Sequence, residues 1–253
     1  MATRVLLDAG HGGWDNGATF MGRKEKQDNL NLTLAVGEIL EQNGIDVVFS
    51  RTEDIYQSPA EKARLGNQKN ADFFVSIHRN SGAEANQYSG VQTLIYNEGD
   101  IKEVLANNIN ERLAEVGFNN IGTEVRKELA VLRGTKMPAV LVEAGFINSD
   151  IDNAIWDENF DAIANAIAQG IVETLNMEER DKRFYRIQVG LFQNPENASR
   201  LANEIREMGY TVEVEQIGKY YAVLVGKFND FSRAKRIERV LRKDGYDTFV
   251  ILY

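Results

Sequence analysis

Two histidines are all that this 253-residue chain contains, and each stands where a strand-like run gives way to a loop. His11 follows the run Arg4–Ala9 in Asp8-Ala-Gly-His-Gly-Gly13, and His78 follows Asp72–Ile77 in Ser76-Ile-His-Arg-Asn-Ser81. A third polar residue, Glu143, comes after the apolar run Ala139–Val142 in Val140-Leu-Val-Glu-Ala-Gly-Phe146. Open α/β sheets bind ligands at the carboxyl ends of their strands. Three separate strands thus bring His, His and Glu to one rim. A catalytic metal on two imidazoles needs one more anionic ligand and a free position for water. Asp15, Glu25 and Asp28, all downstream of His11, are candidates for that ligand, and spacing alone leaves the choice open. An acid such as Glu25, just ahead of a helix, can also do no more than favour the helix dipole. There is no Cys, so disulfides, thiolate cages and a Cys nucleophile are excluded and any metal rests on imidazole and carboxylate.

The elements that position these residues alternate. Strand patterns at Arg4–Ala9, Ile45–Ser50, Asp72–Ile77, Gly90–Tyr96 and Ala139–Val142 are separated by helical ones. The helices are marked by Leu30, Leu34, Gly37 and Leu40 from about Gln27, by Leu105, Ile109 and Leu113, and by Trp156, Phe160, Ile163, Ile167 and Ile171. Runs such as Phe73-Phe-Val75 are apolar without alternation, as in strands buried on both faces. This order predicts an α/β layer fold with a mixed, largely parallel sheet flanked by helices.

Charge divides the chain. Residues 183–253 carry 12 Lys and Arg against 9 Asp and Glu, a net of +3, which leaves −12 for residues 1–182 out of the total of −9. The boundaries read as one domain over 1–175, a linker at 176–182 in the charged stretch Asn176-Met-Glu-Glu-Arg-Asp-Lys182, and a small domain over 183–253. The small domain repeats itself at a shift of 36: Arg186–Phe192 lies on Ala222–Phe228, and Gly209-Tyr210 on Gly245-Tyr246. Each half reads strand, helix, strand, so the whole is a small α+β domain of βαββαβ order, with a four-stranded sheet under two helices on one face. Strand alternation turns Ile187, Val189, Val223 and Val225 towards the helices and Arg186, Gln188, Tyr220 and Leu224 towards the open face. The acidic balance argues against nucleic acid as a partner. No apolar run reaches the ~18 residues of a membrane span. The amino terminus lacks a signal-peptide pattern, so synthesis in the cytoplasm is expected.

Asp8–Gly13, Lys24-Glu-Lys26 ahead of a Leu-rich helix, Ser76–Asn80 and Leu141–Asn148 together closely resemble the family-three N-acetylmuramoyl-L-alanine amidases, in order, over residues 4–175. These zinc hydrolases cut the linear amide between the lactyl group of muramic acid and L-alanine in peptidoglycan. The resemblance implies Zn2+ on His11, Glu25 and His78 and Glu143 as catalytic acid/base, and it selects Glu25 over Asp15 and Asp28. Residues 183–253 resemble the SPOR domain, a peptidoglycan-binding module, with Gln-Val-Gly-x-Phe intact at Gln188–Phe192 and Leu224 in place of the second Gln. Asp8 is a candidate to orient His11 or a strand-end cap; Arg79 and Asn80, next to His78, are candidate substrate contacts; and Arg186, Gln188, Tyr220 and Leu224 are candidate glycan contacts. In regulated relatives a helical insertion covers the zinc. Here only about 53 residues separate Gly90 from Glu143, so an open site without an obligatory protein activator is expected. The implied role is wall lysis after cell lysis or holin-type release, by a sporulation mother-cell autolysin or a phage endolysin. A non-catalytic wall-binding protein that keeps the fold is the alternative.

Overall fold

The computed structural model describes residues 3–182 and 184–253, and the chain divides into two units, Met1–Asn176 and Met177–Tyr253. The first runs β1 (Arg4–Ala9), β2 (Thr19–Phe20), β3 (Arg23–Lys24), α1 (Glu25–Gln42), β4 (Asp46–Phe49), α2 (Pro59–Gln68), β5 (Phe73–Asn80), β6 (Val91–Ile95), α3 (Ile101–Val116), β7 (Asn120–Val125), α4 (Ala130–Gly134), β8 (Ala139–Phe146), α5 (Asp150–Glu158) and α6, which starts at Phe160. Six strands form one sheet in the order β4-β1-β5-β8-β6-β7. Neighbours from β4 to β8 are parallel, β6 is antiparallel to β8, and β7 is parallel to β6. The sheet is therefore mixed and largely parallel, as the sequence pattern predicts.

Alternate residues of each strand enter different cores. Val5, Leu7, Val75 and Val142 pack with Leu32, Val36 and Leu40 of α1, Leu105 and Ile109 of α3, and Ile163 and Ile167 of α6. On the opposite face Leu6, Phe74, Leu94 and Leu141 form a smaller cluster with Ala71, Ala139 and Val131 and Leu132 of α4, against which Val48, Leu65 of α2, Leu129 and Met137 are partly buried. That second face is thinly covered. By strand parity it also carries Asp8, Ser76, His78 and Glu143.

Several elements depart from expectation. β5 and β8 extend past the ends read from sequence, so His78 and Glu143 lie inside strands and pair in register, His78 beside Glu143. The stripe from Trp156 to Ile171 is two helices, broken at Asn159, which takes a non-helical φ of −129° as the C-cap of α5. Helix α2 has no strong apolar stripe but starts with a full capping box, Ser58 with Glu61, and Pro59 in its first turn. The segment 176–182, read as a linker, is helical: α6 continues to Lys182, and the stretch contains no Gly or Pro to stop it.

The second unit is β9 (Tyr185–Phe192), α7 (Pro195–Glu207), β10 (Val212–Ile217), β11 (Tyr220–Phe228), α8 (Phe231–Lys243) and β12 (Phe249–Leu252). Its sheet is antiparallel, in the order β10-β11-β9-β12. Ile187, Val189, Val223 and Val225 pack on Ala198, Ala202 and Ile205 of α7 and Leu241 of α8, the face assigned to them from alternation. Among the described residues no helix is long and apolar enough to cross a membrane.

Candidate metal centre and its surroundings

His11 leaves β1 with φ of +60°, a conformation uncommon outside glycine. That turn aims its imidazole across the carboxyl end of the sheet. Glu25 is the first residue of α1, so the helix axis delivers its side chain inward, where it is 4% exposed. His78 rises from β5 beside it. Gly10 leaves room for this approach: a Cβ there would lie 2.3 Å from the His78 ring. Glu25 Oε1 is 3.1 Å from His11 Nε2 and 2.9 Å from His78 Nδ1. The three ligand atoms lie within 4.8 Å of one another. Two imidazole nitrogens and one carboxylate oxygen converging in this way suit zinc with a fourth position left open.

The surroundings orient each group. His11 Nδ1 is 2.9 Å from Asp15 Oδ2, which fixes the ring so that Nε2 faces Glu25. The second oxygen of Glu25 accepts from the Ala18 backbone N–H at 2.8 Å, and Oε1 also accepts from the Arg79 backbone N–H at 3.2 Å. Burial works to raise the Glu25 carboxyl, but its hydrogen bonds and charge pairing with both histidines hold it well below the usual carboxylate range. Burial likewise pushes His11 down, and Glu25 and Asp15 together overcome this and hold it at about 9.

Asp15 is thus the residue that holds His11, and Asp8 is not. Asp8 is fully buried, accepts from Ser50 Oγ at 2.6 Å and Ser76 Oγ at 2.7 Å, and pairs with Lys62 Nζ at 2.9 Å. It ties β1, β5, α2 and the bend after β4 together, the strand-end cap that was the rival reading. Glu143 occupies β8 at the level of His78. Its Oε2 is buried without a hydrogen-bond partner, and burial raises its carboxyl to about 7.

Arg79 is not offered to a ligand, contrary to expectation. Its side chain is fully buried, pairs with Asp28 at 2.8 Å, donates to Asn153 Oδ1 at 2.8 Å and to the Phe146 carbonyl at 3.2 Å, and lies 4.1 Å from the Trp156 ring centre. Asp28, once weighed as a metal ligand, serves this guanidinium and Arg23 instead. Asn80 caps the next turn through Ser81 N at 2.8 Å. A cavity of about 150 Å3 opens beside the centre, lined by His11, Asp15, Gln57, His78, Leu129 and Val131 among others. Gln57 Oε1 is buried there with no partner. Nothing in its sequence neighbourhood singled out Gln57.

In the second unit Gln188 and Tyr220 are half-buried. Leu224 is 1% exposed and so does not present an open contact. Arg186 is also buried; its guanidinium pairs with Glu213 and lies 5.1 Å from the centre of the Tyr253 ring.

Residues 5–173 match the family model described as N-acetylmuramoyl-L-alanine amidase, and residues 181–252 match the SPOR domain. The chain is 33% identical over 214 residues to the sporulation-specific N-acetylmuramoyl-L-alanine amidase of Bacillus subtilis (strain 168), covering 82% of each. It is 36% identical over 187 residues to an endolysin of Bacillus phage SPP1, covering 71% of this chain and 69% of that one. Among solved structures, the N-acetylmuramoyl-L-alanine amidase from Clostridium difficile 630 superposes with a TM-score of 0.65 at 34% identity, over 69% of this chain and 97% of its own.

Proposed function

The chain belongs to the N-acetylmuramoyl-L-alanine amidase family, and on that premise we propose that it is a zinc-dependent peptidoglycan amidase whose metal rests on His11, Glu25 and His78 and whose acid/base is Glu143. Its substrate is peptidoglycan, which the SPOR domain also binds. One observation carries the site assignment: three ligand atoms within 4.8 Å, flanked in register by Glu143, whose buried Oε2 has no hydrogen-bond partner.

His11, Glu25 and His78 would hold the zinc, which when bound would supply Lewis acidity for the scissile carbonyl and for the attacking water. Asp15 keeps the His11 tautomer and ring plane fixed, and the Ala18 N–H fixes the Glu25 carboxylate. Glu143 takes a proton from the water as the oxygen bonds to the carbonyl carbon. It returns that proton to the alanine nitrogen as the C–N bond breaks, and the second water proton passes from the new lactyl acid to the amine, leaving a lactyl carboxylate and a free ammonium terminus. Burial raises the Glu143 carboxyl, the direction that suits a group which must both take and return a proton.

For the biological role we favour a sporulation autolysin. The match to the sporulation-specific amidase spans 214 residues and 82% of that protein, whereas the endolysin match spans 187 residues and 69% of that one. The test of the activity is release of L-alanine amino termini from purified wall, lost with chelator and restored by zinc. Wall binding without release would favour a non-catalytic protein that keeps the fold.

A further inference from the structure

Trp14, three residues after His11, is 75% exposed, and Tyr56 is 39% exposed. Their ring centres are 4.3 Å apart with planes tilted by 31°. Neither ring belongs to any of the three apolar clusters described for this chain. Core packing therefore does not account for them.

The two loops that carry the rings are zipped together. The Gly13 N–H donates to Asp54 Oδ1 at 2.8 Å. Lys26 Nζ donates to the Gly13 carbonyl at 2.6 Å and to Asp54 Oδ2 at 2.7 Å. A Cβ at Gly13 would stand 2.7 Å from the Tyr56 backbone nitrogen, so the loops touch along their backbones. The pair is a fixed apolar surface next to the metal centre: Trp14 shares the His11 loop, and Tyr56 adjoins Gln57, which lines the cavity with His11 and His78.

We propose that Trp14 and Tyr56 form a sugar-stacking subsite that holds a pyranose ring of the glycan strand beside the scissile amide. This rests on the reading of peptidoglycan as substrate. The lactyl arm joins the amide to the sugar through one short ether link, so an amide at the metal centre leaves its sugar close to the rim. A pyranose presents an apolar C–H face to an aromatic ring while its hydroxyls stay in water. A rigid exposed aromatic pair offers that contact at low entropic cost.

The chain has two tryptophans, Trp14 and Trp156, and the second is 3% exposed. Fluorescence thus reads the subsite directly, with no tryptophan in the wall-binding unit to interfere. We would titrate the chelated full-length protein with the tetrasaccharide of N-acetylglucosamine, which lacks the lactyl group and its amide to alanine. The wild type should show saturable quenching and a blue shift; Trp14→Ala should show neither. On a soluble disaccharide-peptide, Trp14→Ala should raise KM about tenfold at unchanged zinc content and melting temperature, and Trp14→Phe should recover part of the loss. A wild type that cleaves this substrate while its fluorescence stays silent, or a Trp14→Ala variant with unchanged KM, overturns the subsite and leaves the amidase reading intact. A wild type that binds the sugar but releases no alanine termini overturns the amidase reading instead.

Discussion

Replacing Arg79 by Ala separates a buried scaffold from a substrate contact. The guanidinium pairs with Asp28 at 2.8 Å, donates to Asn153 Oδ1 and the Phe146 carbonyl, and lies against Trp156. Its removal leaves Asp28 with only the Arg23 contact at 3.1 Å and strips donors from two further acceptors. Breaking a buried ion pair on one side costs about 3–5 kcal/mol. Unpaired acceptors cost about 1–3 kcal/mol each, but the losses share one cavity and do not add. A total of about 3–5 kcal/mol is expected, with Arg79→Lys losing about half as much because the charge remains and the planar fork does not. Both tryptophans lie in the amidase unit, so denaturant unfolding followed by fluorescence reads that unit. At about 2–4 °C per kcal/mol for a unit of this size, the melting point should fall by about 6–20 °C. A loss below about 1 kcal/mol together with a raised KM would refute the scaffold assignment and return Arg79 to the substrate.

Glu143→Gln should lower turnover at least ~100-fold with the fold intact. In the chelated protein the Glu143 carboxyl is raised from 4.5 to about 7, so the folded state holds that proton more tightly than the unfolded one. Its contribution to stability is therefore lost as pH rises from about 4.5 to 7. The advantage of Glu143→Gln over wild type should grow by up to about 3 kcal/mol across that window in urea titrations, and a pH-independent difference would contradict the buried-acid assignment. Asp15→Asn should weaken zinc about 10–100-fold in competition with a chromogenic chelator while leaving the unfolding midpoint of the chelated protein near wild type. In the small domain, Leu224→Ala should destabilise by about 2–4 kcal/mol. Gln188→Ala should leave the fold intact and reduce retention on wall at high salt, where charge attraction is screened; unchanged retention would remove Gln188 from the glycan contacts.

Period and punctuation carry the scaffold: apolar runs give β1, β5 and β8, and the repeat at a shift of 36 gives the small domain strand by strand. What they miss is side-chain partnership. On paper Asp8 could orient His11 or cap its strand, and Asp15 is weighed only as a metal ligand. The choice depends on a backbone turn at φ +60° that sends the ring towards Asp15, while Asp8 is claimed by Ser50, Ser76 and Lys62 from three distant segments. Arg79 adjoins His78 in sequence, yet strand alternation turns it to the opposite face, where Asp28 and Trp156 enclose it. Leu224 has the parity of an open-face residue, but parity assigns a face and says nothing of what covers it, and Leu224 is buried. Helix α2 was not read from the sequence, because it lacks an apolar stripe and its signal is the Ser58-Pro-x-Glu cap.

The central claim is that His11, Glu25 and His78 hold one zinc ion through which this chain cuts its amide. Elemental analysis of purified wild type, His78→Ala and Glu143→Gln, each re-equilibrated with zinc and passed through a desalting column, tests it most directly. The account predicts about one zinc per chain in wild type and in Glu143→Gln, with turnover lost in the latter, and little zinc in His78→Ala. Full zinc occupancy in His78→Ala would contradict it.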